Sequence, residues 1–495
     1  MNWKKFIEEN HKFQRSLEIL PGTVSWGLIL FLVWGSFLLP HYVAAFIILF
    51  DIYWLYKSIN IAISSLISHY KIRAAMIYDW QKDLASLKDL KKLHHVVIIP
   101  TYKEPVGVLE KSISTMADQE LNPKKHLTVV VAFENREKEA KEKENILREK
   151  FSQSFAHLFF TYHPDLEGEI KGKSSNEAWA GKWVKKKLVD ELGYDINFLT
   201  ATSADADTHF HPKYYSAFSY YFLTNKNRYR RFWHAAIWYY SNIWEIPAPV
   251  RVISTFNSVW RTAVLTRRDL LIHTSVYSLS FKMLDEVGYW DVDVIPEDYR
   301  IFFKCFFKFA EQVEVEPIFL PIYVDAPQSS TYWKTLVNQY EQMKRWAWGT
   351  SDDAYLIKKL LVSGKKDLLH KMIRVYQVLE DHFLWPVNWF FITLGANVPV
   401  ILNPVFAQTV MGRNLPRISF FILTLCFVGL AVILFVEFRQ RPKKAGLSKF
   451  RILLQPFEFI LMPFVGFFFS ALPGLDAHTR LMLGKYIEYK VTEKV

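Results

Sequence analysis

Long apolar runs stand at both ends of the chain and are missing from its middle. Val24–Leu39 carries no charge, Val43–Phe50 resumes after Pro40-His41, and Ile59–Ile67 extends the second run past Asp51 and Lys57. Strong runs return at Phe383–Leu402, Ile418–Phe438 and Leu454–Leu472. A helical bilayer crossing needs about 20 mostly apolar residues, which is the order of these runs. The pattern predicts two N-terminal membrane helices joined by a tight turn, then an inserted domain, then C-terminal membrane helices. A helical hairpin buried in a soluble core is the alternative use of the first two runs. A cleaved signal peptide fits badly. The leader Met1–Leu20 is long and carries both signs of charge, no small-x-small site follows it, and a second apolar run comes next.

Composition supports a chain that meets more than one solvent. Apolar residues make up 51%, aromatic residues 17% and charged residues 22% of 495. That aromatic load suits bilayer contact, interfacial belts and sugar stacking, and it excludes disorder and coiled coils. Two cysteines, Cys305 and Cys426, exclude a disulfide scaffold and a cysteine zinc site. The net charge of +12 is explained largely by membrane orientation. Arg439, Arg441, Lys443, Lys444, Lys449 and Arg451 cluster in one loop and mark its cytosolic side, whereas only Arg413 and Arg417 precede Ile418. No basic-aromatic nucleic-acid motif is present.

Between Lys71 and about Glu380 the texture is that of an α/β domain. Val96–Ile99, Leu127–Phe133, His157–Tyr162 and Ile196–Ala201 read as strands, and Val106–Glu120, Arg136–Glu149 and Ser174–Glu191 as helices. Such alternation predicts a mostly parallel mixed sheet with helices on both faces and ligands at the carboxyl ends of its strands. The aromatic stretch Arg231–Arg261, with Trp233, Trp238, Tyr239, Tyr240, Trp244 and Trp260, has two readings: a membrane interface or the lining of an acceptor path.

Polar signals fall at these strand ends and loops. Pro100-Thr101-Tyr102-Lys103-Glu104 leaves the first strand and suits a nucleotide base and ribose. Asp205 and Asp207 stand two residues apart on the turn after Ile196–Ala201, and can set oxygens around a divalent cation that also holds a diphosphate. A solvated acidic turn is the plainer reading of that pair, and His209 and His211 read as structural. Glu297 and Asp298 follow Pro296, and a carboxylate there can take a proton from a hydroxyl. An acidic helix N-terminus is the simpler account. Gln342, Arg345 and Trp346 lie at i, i+3 and i+4 of a helix, so one face carries an amide, a guanidinium and an indole. That face suits a pyrophosphate and a sugar ring, or else Trp346 simply packs on the core.

Together these signals resemble the D, D, D, Q-x-x-R-W set of the membrane-embedded family-2 glycosyltransferases, which include cellulose, chitin and hyaluronan synthases. Tyr489-Lys490-Val491-Thr492-Glu493-Lys494 also resembles that family's F-x-V-T-x-K gating loop, with Tyr for Phe. The resemblance implies a cytosolic GT-A-like α/β domain over residues 71–330. A leader (1–20) and two membrane helices (21–70) would precede it. Q-x-x-R-W and interfacial helices (331–380), membrane helices (381–475) and a cytosolic tail (476–495) would follow. It implies Asp298 as base with Glu297 positioning it, and Mg²⁺ or Mn²⁺ at Asp207 with Asp205 nearer the nucleotide. Thr101, Tyr102, Glu104, Glu134, Lys173, Gln342, Arg345, Thr492 and Lys494 would face the nucleotide diphosphate, and Trp346 the acceptor. The implied partners are a UDP-sugar, a glycan or lipid-linked acceptor, and the lipid bilayer.

Three versions of the function follow: processive polysaccharide synthesis with export, single addition to a lipid-linked acceptor, or a non-catalytic nucleotide- or glycan-binding membrane protein. One departure bears on the choice. Where the family places an Asp after the second strand, this chain reads Ala132-Phe133-Glu134-Asn135-Arg136. Glu134 can substitute as a longer carboxylate and Phe133 can stack on a base. The tail can gate a cytosolic site only if Leu454–Leu472 does not cross the membrane once. Pro456, Pro463 and Pro473 make a re-entrant or hairpinned segment the expectation.

Overall fold

A computed structural model describes residues 3–309, 313–444, 446, 455–489 and 492. Eight strands form one sheet: β1 (His94–Thr101), β2 (Leu127–Glu134), β3 (His157–His163), β4 (Leu199–Ser203), β5 (His209–Phe210), β6 (Arg231–Trp238), β7 (Tyr277–Ser280) and β8 (Glu314–Tyr323). Their spatial order is β3-β2-β1-β4-β7-β6-β8-β5. β3, β2, β1 and β4 run parallel, with Val97 opposite Val129 on one side and Thr202 on the other. β7 is antiparallel to β4 and β6, β6 is parallel to β8, and β5 closes the edge antiparallel to β8.

β1 and β2 are buried along their whole length, which is why they read as unbroken apolar runs rather than alternating ones. The helices Val106–Ala117, Ala140–Phe151 and Lys173–Val184 make the crossovers from β1 through β4. From β1 the chain winds outward to β3, then returns to place β4 on the other flank of β1. The carboxyl ends of β1 and β4 therefore border the point where strand order reverses, the usual crevice for a ligand in an open α/β sheet.

The aromatic stretch Arg231–Arg261 divides between the sheet and a helix. Its first half is β6, inside the sheet, with Trp233 at 0% exposure and Trp238 and Tyr240 buried. Its second half is the helix Ala248–Val264.

Among the described residues, four helical segments are long and apolar enough to cross a membrane: His11–Leu38, Pro40–Ile77, Val410–Gln440 and Gln455–Met482. They flank the α/β domain on both sides in sequence. Pro40–Ile77 and Val410–Gln440 run side by side, so close that a Cβ on Gly429 would stand 2.3 Å from Ser58 Oγ. Small residues at such a contact let two backbones approach. The Ser419 hydroxyl donates to the buried Asp51 carboxylate across the same pair at 2.5 Å.

The run Phe383–Leu402 is not one helix. It divides into the end of Leu368–Leu384, then Asn388–Leu394 and Val398–Leu402, with Pro386 and Pro399 removing backbone donors. Val387, Phe391 and Ala396 pack on Leu32, Val43, Ala44 and Ile47 of the N-terminal helices.

The described part of the last apolar segment, Gln455–Met482, is tied to the rest of the molecule along its length. Near its start, Glu458 pairs with Arg251 at 2.8 Å. In its middle, the carbonyl of Pro463 accepts from Trp389 Nε1 at 2.7 Å. At its end, Arg15 donates to the carbonyls of Leu481 and Met482 at 2.8 and 2.5 Å. The helix Trp3–Glu9 next to Arg15 is tied to the helix Asp353–Val362 by Lys359–Glu8 at 2.8 Å.

Candidate active site

Each strand-end loop is fixed by its own polar contacts. After β1, the Thr101 hydroxyl and the Tyr102 N–H donate to the Glu104 carboxylate at 2.7 and 2.5 Å, closing a turn in which Lys103 has φ of 66°. After β2, Glu134 is ion-paired to Arg136, whose guanidinium lies 4.0 Å from the centre of the Tyr102 ring. Phe133 cannot stack on a base. It is 0% exposed and stacks on Tyr162 at 5.7 Å, because side chains alternate along a strand and its own turn falls on the core face.

After β4, Asp205 and Asp207 share a turn closed by the Thr208 N–H on the Asp205 carbonyl at 3.0 Å. Asp207 is buried and accepts from the Asp325 N–H at 2.8 Å. Asp205 accepts from Lys173 Nζ at 2.9 Å and from the Ser275 hydroxyl at 2.5 Å.

Lys173 opens the helix Lys173–Val184 and is the hub of the charged cluster. Its ammonium lies 2.9 Å from Asp205, 2.9 Å from Glu297 and 4.0 Å from Glu177. Burial alone would lower its pKa, but the three carboxylates outweigh burial and hold it charged. Burial dominates for Glu177 and Glu297, whose pKa values rise above the ordinary carboxyl range although Lys173 opposes this. Glu177 accepts from the Ser203 hydroxyl at 2.5 Å, and its other oxygen has no hydrogen-bond partner among the described residues.

Ser275 ties the cluster to Asp298. With φ of 60°, it donates its N–H to Asp298 at 2.9 Å and offers its carbonyl to Lys173 at 2.9 Å. A non-glycine residue held in the left-handed region is a common sign of a functional site. Asp298 is half-buried and also accepts from the Tyr299 N–H at 2.9 Å.

The helix Tyr332–Ala347 brings Gln342, Arg345 and Trp346 to the same place. Arg345 donates to the Thr492 hydroxyl at 2.8 Å, and its guanidinium lies 5.3 Å from the Tyr489 ring. Trp346 packs at 5.8 Å from Tyr239, with the Arg261 guanidinium 5.6 Å from its ring. Tyr489 covers Gly172 so closely that a Cβ there would lie 2.8 Å from the ring.

One cavity of about 640 Å³ joins these parts. Thr101, Tyr102, Glu104, Glu134, Lys173, Asp205, Asp207, Glu297, Asp298, Gln342, Arg345, Trp346 and Thr492 all line it. Lys494 lies outside the described residues. His209 bonds Ser241 at 3.1 Å and His211 accepts from the Lys213 N–H at 3.2 Å, as structural histidines do. Sequence reasoning missed Ser275 and Glu177, neither of which sits in a motif, whereas Tyr239, Trp260 and Arg261 of the aromatic stretch line the cavity. The cavity also continues past Trp346 into the helices, where His382, Trp385 and Trp389 line it.

Among the described residues no three His, Cys, Asp or Glu side chains come together as a metal cage. The pair Asp205 and Asp207 suits a hard divalent cation only if the ligand's own oxygens complete its shell, as a diphosphate does.

Residues 202–438 match the glycosyl transferase family group 2, just under half of the chain, in a span holding Asp205, Asp207, Asp298 and Arg345. No curated protein matches. Among solved structures, the mannosyltransferase PcManGT from Pyrobaculum calidifontis, in complex with GDP-Man and Mn²⁺, aligns with 78% of this chain and 99% of its own. Its identity is 13% and its TM-score 0.42. S. aureus TarS 1-349, in complex with UDP-GlcNAc, aligns over 80% and 94% at 12% identity with a TM-score of 0.36.

Proposed function

We propose that the chain transfers a sugar from a nucleotide sugar, UDP-linked by resemblance, to an acceptor hydroxyl at a membrane, with inversion at the anomeric carbon. One observation carries this reading. Side chains from six separated stretches of sequence, with Thr492 of the tail, line a single cavity at the reversal of strand order. The match over residues 202–438 supports the same class. The run of basic residues after Val410–Gln440 in the sequence supports a cytosolic side for the α/β domain.

In this reading the acceptor oxygen attacks the anomeric carbon as the bond to the diphosphate oxygen breaks. Asp298 takes the acceptor's proton, so one O–H bond is exchanged for one C–O bond and the nucleotide diphosphate leaves. Ser275 and Tyr299 fix the carboxylate through their N–H groups, while Glu297 is held back by Lys173 and acts as its positioning neighbour. Leaving-group charge is the main electrostatic demand, and the half-buried Arg345 and the buried Lys173 meet it. A Mg²⁺ or Mn²⁺ ion at Asp207 and Asp205 supplies charge neutralisation of the diphosphate when bound. Tyr102 and Glu134 flank the base and ribose, Gln342 the diphosphate, and Trp346 the acceptor sugar.

The test is nucleotide diphosphate release by the full chain in lipid, across UDP-, GDP- and dTDP-sugars with either metal. One donor is expected to react. Asp298→Asn is expected to lower turnover by about 10²- to 10⁴-fold while leaving donor affinity within about twofold. Donor binding without release, indifferent to Asp298→Asn, would instead mark a protein that only binds. Product length on a gel separates processive synthesis from single addition.

A further inference from the structure

Beyond Trp346 the cavity runs on into the helical region, and its neck holds a pair that the transfer chemistry leaves unused. His382 Nδ1–H donates to Asp353 Oδ1 at 2.6 Å, and the Thr350 hydroxyl donates to the other Asp353 oxygen at 3.0 Å. Asp353 is 1% exposed, so this carboxylate serves the ring and not solvent. Its neighbour Asp352 is separately held by Arg300 at 2.6 Å. The contact at Nδ1 orients the ring and leaves Nε2 as the working nitrogen.

Nε2 lies beside Gly349, where a Cβ would come within 3.4 Å of it, and both residues line the cavity. The absence of a side chain at Gly349 keeps that nitrogen open. On one side the His382 ring stands 6.0 Å from the ring of Tyr299, next to Asp298. On the other side the wall continues as Asp381, Trp385, Asn388 and Trp389. Burial would lower the imidazole pKa, but Asp353, with Asp381 and Asp352, raises it above the ordinary histidine value and favours the charged donor.

We propose that the His382–Asp353 pair is an acceptor anchor, with Nε2–H donating to a hydroxyl oxygen of a neutral glycan whose end reaches Asp298. This rests on the sugar-transfer reading and adds the acceptor class to it. The wall of the inner arm favours a glycan over a phosphate-bearing lipid. The indoles of Trp260, Trp385 and Trp389 offer faces for sugar C–H groups. The ammonium of Lys57 is already committed to Glu380 and Asp381 at 3.1 and 3.7 Å.

The experiment titrates the full chain in nanodiscs with cellotetraose, chitotetraose and undecaprenyl phosphate, reading tryptophan fluorescence, and with a donor nucleotide sugar as a separate arm. A neutral tetrasaccharide is expected to bind, and His382→Ala to weaken it about tenfold, the scale of one charge-assisted hydrogen bond. His382→Gln, which keeps a donor, is expected to recover part of that affinity. Gly349→Ala places a methyl at Nε2 with the pair intact and is expected to reproduce the loss, which guards against a folding defect in His382→Ala. Donor affinity is expected to stay unchanged in all three. Undecaprenyl phosphate binding in place of the saccharides, no saccharide binding, or saccharide affinity indifferent to all three changes would overturn the anchor. If the wild type binds no nucleotide sugar, it is the sugar-transfer reading that falls.

Discussion

Glu177 shows how one side chain stores a pH dependence in this site. It is 0% exposed, and the ammonium 4.0 Å away is shared with Asp205 and Glu297. One cation cannot neutralise three carboxylates in a buried setting, so burial keeps the Glu177 pKa above its ordinary 4.5. A raised folded-state pKa means that the folded form holds a proton which the unfolded chain has lost. The associated stability is complete below the ordinary glutamate range and fades as pH rises through the raised value. Glu177→Gln is neutral at every pH and still offers an oxygen to Ser203. Its melting temperature relative to wild type is expected to be near zero shift at pH 5 and to gain several degrees by pH 8.5, at about 2–4 °C per kcal/mol. Differential scanning fluorimetry in nanodiscs reads this, and a difference that stays flat with pH would contradict it. Motif spacing exposed Asp205, Asp207, Asp298, Arg345 and Trp346 in the sequence, since each sits in a short recurring pattern. Ser275 and Glu177 stayed hidden because their roles arise from contacts between stretches as far apart as the 102 residues from Lys173 to Ser275.

Among the elements, legibility followed burial and length. β1 to β4 announced themselves as apolar or β-branched runs between helical stretches. β5 has two residues and β7 four, too short to show a period. β8 contains Pro317 and Pro321, which argue against a strand, and it accommodates them beside a register shift at Ala235/Ala236 of β6. β6 was obscured by its tryptophans, whose rings fill the core and not an interface. The contact between the tail and the helix Lys173–Val184 was legible only as a motif, and its packing yields a direct test. In Gly172→Ala the new methyl would lie 2.8 Å from the Tyr489 ring, so the ring must lift and the Thr492–Arg345 contact loosen with it. The KM for nucleotide sugar is expected to rise about three- to tenfold, the scale of one lost hydrogen bond to a charged group. Tyr489→Ala combined with Gly172→Ala is expected to add little to either change alone, because both act on one contact. Fully additive effects would place the glycine's role elsewhere.

At the scale of the whole molecule, the N-terminal helix braces the segment that leads Tyr489 and Thr492 into the cavity. Arg15 near the N-terminus donates to the last carbonyls of the helix Leu472–Met482, where the Leu481 carbonyl also accepts from the Gly484 N–H at 3.1 Å. Gly484, with φ of 71°, then turns the chain, and Tyr486 donates to Glu18 at 2.7 Å. Five residues after Gly484 the tail reaches Gly172 through Tyr489, and beyond it Arg345 through Thr492. The first apolar helix therefore sets where the covering segment begins. Arg15→Ala removes two charge-assisted hydrogen bonds worth about 1.5–3 kcal/mol each, at a helix end that can fray without unfolding the sheet. The expected outcome is a KM for nucleotide sugar raised about tenfold, unchanged far-ultraviolet circular dichroism, and saccharide affinity at the inner arm within about twofold of wild type. Glu18→Gln keeps a neutral acceptor for Tyr486 and is expected to shift the same KM less. Steady-state kinetics with donor and acceptor varied separately decide the matter. A loss confined to the acceptor side would show that the N-terminal helix supports the membrane region and leaves the tail alone. A loss confined to the donor side would tie the closing of the cavity to residues more than 460 positions away in sequence.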